Sequence, residues 1–154
     1  MNVISTMIEL HVARREEGKV EYLLLKRGAN ETYPGLWQMV SGKVNEGEKA
    51  YEAALRELSE ETSLVPVKFW VAPNINSFYY PETDTVNFLP VFLCEVPPGS
   101  TVTLSEEHDE YRWVSPAEAS SMVAWEGQRR SISICTEYLM EKESVLNFVK
   151  IDVT

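Results

Sequence analysis

The residues of this chain best suited to chemistry are its glutamates. Glu57, Glu60 and Glu61 lie close together in Lys49 to Thr62, a segment rich in Ala, Leu, Glu and Arg with no Gly or Pro. Such a segment predicts a helix. At about 100° per residue, Glu60 falls about −60° and Glu61 about +40° from Glu57, so the three carboxylates share one arc. Like charges at these helical spacings repel. A multivalent cation among them reverses that sign, and oxygen-only donors suit Mg²⁺ or Mn²⁺ with several waters retained. Tyr51, Leu55 and Leu58 form a separate apolar stripe, so the helix has a core side of its own. Ala50, Ala53 and Ala54 share the carboxylates' side, where small residues would let a loop or a substrate come close.

The glutamates belong to a longer pattern. Gly42 is followed by five residues and Glu48, then by seven residues and Arg56-Glu57-Leu58-Ser59-Glu60-Glu61-Thr62-Ser63-Leu64. This resembles the Nudix box, G-x5-E-x7-R-E-U-x-E-E-x-G-U, where U is aliphatic. Ser63 departs from it, standing where the box has the Gly that ends the helix. The expected effect is on the cap and not on a ligand. The resemblance implies an α/β fold, the Nudix α/β/α sandwich around a mixed β-sheet. It also implies hydrolysis of nucleoside diphosphates linked to another moiety, with Mg²⁺ or Mn²⁺ as cofactor.

Carried onto this chain, Glu57, Glu60 and Glu61 would bind the metal, Glu60 and Glu61 foremost. Gly42 and Glu48 hold the structural positions of the motif. Arg56 would pair with Glu48 or Glu57 and fix it in place. Ser41 would offer a backbone carbonyl to the metal. The metal would neutralise phosphate oxygens and lower the pKa of a bound water. A carboxylate would then take the proton. Two bases stay open. Glu57 is one. The other lies in Ser105-Glu106-Glu107-His108-Asp109-Glu110, where Glu107 is favoured over Glu106 as base and further metal ligand. His108 is read as a loop or supporting residue and His11 as a strand residue. Glu107-His108, Tyr111, Trp113, Ala117, Trp125 and Arg129 or Arg130 are also similar to the bacterial dihydroneopterin triphosphate (dATP) pyrophosphohydrolases.

Substrate recognition must come from outside the box. Phe78, Tyr79 and Tyr80 precede a turn; at most alternate members can line one pocket, so Phe78 and Tyr80 are candidates to stack on a base or pterin ring. Lys43 and Arg27 are the candidate cations for phosphates beyond the metal.

These residues need a scaffold. Val3 to Ala13 predicts a strand, Arg14 to Lys19 a turn, Val20 to Lys26 the returning strand and Leu36 to Val40 an extended segment. Ser41-Gly42 is expected to open a loop that Gly47 closes. Val67 to Ser77 and Thr85 to Val96 read as strands around the turn Pro81-Glu82-Thr83-Asp84. Tyr111 to Val114 reads as a short strand. Ser115-Pro116-Ala117-Glu118 reads as a capping box, Glu126 to Glu141 as a long helix and the tail from Val145 as a last strand. Interleaved strands and helices predict one domain over residues 1–154, built on a mixed sheet.

Composition narrows the function. Fourteen basic against twenty-four acidic residues give a net charge of −10, which argues against duplex nucleic acid as a partner. No apolar run is long enough for a membrane span. The start reads as lacking a secretory signal, and two cysteines without metal spacing fit a cytoplasmic setting. The expected partner is a nucleotide or pterin polyphosphate; a homodimer is open, since many relatives dimerise. The expected reaction converts a nucleoside or pterin triphosphate to the monophosphate and pyrophosphate. The rivals are hydrolysis of dinucleoside polyphosphates or nucleotide sugars, and a non-catalytic nucleotide sensor. Sensors of this kind commonly lose box glutamates, and all are present here.

Overall fold

A computed structural model describes residues 1–153 of the chain. The long N-terminal stretch divides in two: β1 (Asn2–Ile4) and β2 (Met7–Glu16), separated at Ser5-Thr6. Alternation along β2 sends Ile8, Leu10 and Val12 into one core and Ala13 into the other. β3 (Lys19–Arg27) returns after a tight turn at Glu17-Gly18, both at positive φ (52° and 76°). Such two-residue turns match the twist of a hairpin, so the strands extend further into Arg14–Lys19 than the sequence predicts. Arg14 pairs with Glu21 and Arg15 with Val20 in the ladder.

Among the described residues eight strands form one mixed sheet. β4 (Trp37–Gln38) pairs with β3, and β5 (Val40–Lys43) pairs with β2. Ser41-Gly42, expected as a loop, is therefore strand: Gly42 lies opposite Ile8 and Ser41 opposite Glu9. β6 (Lys68–Tyr80) and β7 (Thr85–Glu95) form a long hairpin with a bulge between Val71 and Ile75. β7 then runs parallel to β1 and β2. β8 (His108–Val114) pairs with β3 and begins three residues earlier than the sequence predicts.

β2 changes partners along its length. Met7–Leu10 pair with β5, whereas Ala13–Glu16 pair with β3. The sheet forks there, and the chain from Trp37 to Lys43 crosses from one branch to the other through the buried Met39.

Each face carries a core. Helix α1 (Ala50–Thr62) lays Ala53, Ala54 and Leu58 on Ile8, Leu10, Val12 and Val40. The alanines expected to leave room for a substrate instead bring the helix close to the sheet. The opposite face is covered by α2 (Pro116–Met122) and α3 (Glu126–Glu141), the latter through Ile132, Cys135 and Leu139. Burying a side chain of Leu size contributes about 1.5–3 kcal/mol. Ser115 caps α2 by accepting from the Glu118 N–H at 3.2 Å, with Pro116 at the first helical position.

The tail departs from the predicted strand. It forms α4 (Glu143–Leu146) and a 3₁₀ turn (Asn147–Val149), with one bridge from Lys150 to Trp70. Two anchors favour the helix. Leu146 is fully buried, and Arg15 reaches both Glu95 (2.7 Å) and Glu143 (2.6 Å). That pairing holds the Glu143 carboxyl down to about 2.

Ser63 caps α1 in the left-handed conformation, φ 61° and ψ 13°, with its N–H on the Ser59 carbonyl at 2.9 Å. A non-Gly residue there costs about 1–2 kcal/mol. Ser63→Gly is therefore expected to stabilise the fold by about 1 kcal/mol at unchanged activity; thermal unfolding and turnover measured side by side check this.

Candidate active site

The site starts at Gly42. A Cβ built there would lie 2.3 Å from Cδ of Glu57, so the Glu57 carboxylate rests where a side chain would be. β5 presents the glycine and α1 lays the glutamate on it.

Arg56 organises the acids around it. Its Nε donates to Glu48 (2.8 Å), its Nη1 to Glu57 (2.8 Å) and Glu60 (3.1 Å), and its Nη2 to Glu48 (3.1 Å) and the Lys43 carbonyl (2.8 Å). Both partners open in the sequence reading, Glu48 and Glu57, are therefore engaged. The guanidinium holds the Glu48 carboxyl below its ordinary value. Glu48 also accepts from the Asn45 N–H at 3.0 Å, closing the loop before α1.

One helical turn beyond Glu57, Glu61 is 2% exposed, and its Oε2 has no hydrogen-bond partner. Burial raises its pKa far above the carboxylate range, and the charges of Glu57 and Glu107 raise it further. Glu107, at the entry to β8, is raised too, by burial first and then by Glu57 and Glu31. The ligand atoms of Glu61, Glu107 and His108 all lie within 4.8 Å of one another.

His108 is buried, with Nε2 3.6 Å from Glu61 Oε1. Burial and the charge of Arg27 lower its pKa to about 4, so it is neutral near pH 7. Arg27 donates to Gln38 Oε1 at 3.3 Å, which turns the Gln38 amide nitrogen toward His108 Nε2, also at 3.3 Å. His108 Nε2 is thereby the acceptor, and Nδ1 is left buried and unpartnered. Arg27 also donates to the Thr32 carbonyl and exerts its charge on Glu61 and Glu107.

The expected residues do not all converge. Glu57, Glu61, Glu107 and Arg27 do, and Ser41 adjoins Gly42 in β5. Glu60 stands at the solvent edge of the cluster, its side chain 58% exposed and held by Arg56, with its charge acting on Glu107. Lys43 contributes its carbonyl to Arg56, while its side chain is exposed. Phe78 and Tyr80 lie on β6, which β7 and β2 separate from β5. Tyr80 donates to Glu82 at 2.9 Å. His108, read from the sequence as a loop or supporting residue, stands at the start of β8 and is drawn in beside Glu61. Gln38, which with Trp37 also fits the subfamily resemblance, has no role assigned by the sequence; its place one strand from His108 requires the pairing of β3 with both β4 and β8.

These residues suit a divalent cation. A buried carboxylate oxygen without a partner, three acids in mutual repulsion and a glycine cradle form a donor set that a cation completes.

The chain belongs to the Nudix family: the NUDIX domain model matches residues 10–133. Nucleoside triphosphatase NudI of Klebsiella pneumoniae is 32% identical over 106 residues, covering 64% of this chain and 75% of that one. Dihydroneopterin triphosphate diphosphatase of Escherichia coli is 29% identical over 110 residues, covering 62% and 72%. An octanoyltransferase of Myxococcus xanthus is 29% identical over 133 residues, and the chain spans 36% of that protein's length. Among solved structures, an Ap4A hydrolase complex from C. elegans superposes with a TM-score of 0.73 at 22% identity, covering 88% of this chain and 97% of that one. That likeness carries the fold. Among the described residues no helix is long and apolar enough to cross a membrane.

Two outcomes follow from the crowding of the acids. Between the ordinary carboxylate pKa and about 9, the folded metal-free protein holds a proton on Glu61 that the unfolded chain has released. Stability of the metal-free protein therefore falls as pH rises from about 5 to about 9. Glu61→Gln should flatten that slope in thermal melts; an equal slope in both proteins would contradict the assignment. Gly42→Ala should displace the Glu57 carboxylate and lower turnover about 100-fold. Circular dichroism and steady-state rates of the variant check it.

Proposed function

We propose that this protein is a Mg²⁺- or Mn²⁺-dependent pyrophosphohydrolase. It opens a phosphoanhydride of a nucleoside or pterin triphosphate with water and releases the monophosphate and pyrophosphate. The observation that carries this reading is the cradle of Gly42, Glu57, Glu61 and Glu107, with a buried acid far above the carboxylate range. The activities in the names of the NudI and dihydroneopterin relatives support the substrate class. Two buried free cysteines fit a reducing, cytoplasmic compartment.

In this reading Glu57, Glu61 and Glu107 hold the cation, with the peptide of Ser41 beside them and Glu60 at the solvent edge. When bound, it supplies positive charge to the phosphate oxygens and a water of lowered pKa. Arg56 fixes Glu57 against Gly42 and so sets the spacing of the acids. Arg27, whose charge acts on Glu61 and Glu107, is the cation offered to a phosphate oxygen. Glu107 takes the proton. Its raised pKa suits a base, whereas Arg56 engages the Glu57 carboxylate at 2.8 Å. His108, neutral and oriented by Gln38, lines the cluster beside Glu61 without adding positive charge.

Pyrophosphate release from a panel of nucleoside and pterin triphosphates, with and without Mg²⁺, tests the reading. Activity that survives chelation overturns it. Glu107→Gln should lower kcat about 10²- to 10⁴-fold and abolish the acidic limb of its pH profile. Glu57→Gln should instead raise the Mg²⁺ concentration needed for half-maximal rate. The reverse pattern would make Glu57 the base.

A further inference from the structure

Two large rings stand in the open on the side of the molecule where Arg27 and its loop lie. Tyr33 is 52% and Trp125 53% exposed, yet they touch, with centroids 5.9 Å apart and planes at 70°. The other tryptophans are covered. Trp70 is buried, Trp37 lies under the Arg112 guanidinium at 5.1 Å and Trp113 under that of Arg14 at 4.4 Å.

Both exposed rings have firm mounts. Trp125 is the N-cap of α3, and its carbonyl accepts from the N–H groups of Gln128 and Arg129 at 3.1 and 3.2 Å. Tyr33 sits in the loop between β3 and β4, which is pinned to Arg27 from three directions. The Gly35 N–H donates to the Arg27 carbonyl, the Arg27 N–H donates to the Leu36 carbonyl (both 2.9 Å), and the Arg27 side chain donates to the Thr32 carbonyl. Tyr33 has φ +53° directly before Pro34, a conformation disfavoured for a bulky residue and for one preceding proline. Such strain persists where the surroundings over-determine it, as at ligand clamps.

We infer that Tyr33 and Trp125 form the stacking site for the planar heterocyclic ring of the substrate, a purine or pterin. The inference rests on the proposed function and names its specificity site. Exposed aromatic faces bind bases through stacking. The loop bearing Tyr33 is rooted on Arg27, which contacts Gln38, then His108, beside Glu61. One ligand can thus stack its ring on the open face of this edge-to-face pair and extend its phosphates toward Arg27 and the acids. Tyr80 lies within electrostatic reach of Tyr33 and so flanks this site, whereas Tyr33 and Trp125 supply its ring faces.

The test uses the full chain with three kinds of probe: adenosine, guanosine and neopterin, each without phosphate; the matching triphosphates with Mg²⁺; and inorganic tripolyphosphate with Mg²⁺. Tyr33→Ala and Trp125→Ala should weaken ring binding in calorimetry about 5- to 100-fold. They should raise KM for the triphosphates by a similar factor, with kcat and tripolyphosphate hydrolysis close to wild type. Trp125→Phe should restore most of the binding. Folded alanine variants that bind and turn over like wild type overturn the inference, as does a wild-type protein that binds none of the ring probes. Ring binding lost in the variants without any triphosphate hydrolysis would sink the proposed reaction and leave the stacking site standing.

Discussion

Burial of the Glu61 carboxylate beside two other acids is the constraint around which the rest is arranged. An isolated buried carboxylate is strongly disfavoured, and negative neighbours make it worse. The protein accepts this in a region held tightly from every side. Ala53, Ala54 and Leu58 press the same helix onto the sheet. His108 is kept neutral and gives no counter-charge. The remaining imbalance has the sign and position that a divalent ion satisfies.

Arg56 is the counterpart of that imbalance. One guanidinium reaches three carboxylates and a backbone carbonyl, joining the loop from Lys43 to Glu48 to the middle of α1. A Lys, with one compact charge, lacks the fork to span these partners. The box spacing thus has a mechanical reading. Glycine, glutamate and arginine are the three points at which a strand, a loop and a helix are fastened together.

Much of this was legible in the sequence because it is local. The box from Gly42 to Glu61 lies within about two dozen residues, and helical geometry fixes the relation of Arg56 to its three acids. The β6–β7 hairpin, the Ser115 cap and α3 were equally readable from turn and capping residues. What failed depends on contacts between distant segments. Ser41-Gly42 became strand because β2 offered an edge. The tail became helical because Arg15 and the core claimed Glu143 and Leu146. Ala53 and Ala54 turned inward because the sheet lay on that side. His108 and Gln38 met only through the pairing of β3 with its two neighbours. Exposure of Tyr33 and Trp125 is likewise a property of assembled surfaces, invisible in residue type.

The division of β2 between two partners has a mechanical consequence. One limb of the sheet bears Gly42, with Glu57 lying on it; the other bears Gln38 and His108, with Glu107 at its root. The gap between the halves of the acid cluster is therefore the gap between two limbs hinged near His11 and Val12. Repacking that joint would retune the distance from Glu57 to Glu107 like the pivot of a pair of tweezers, with every group at the tips left untouched.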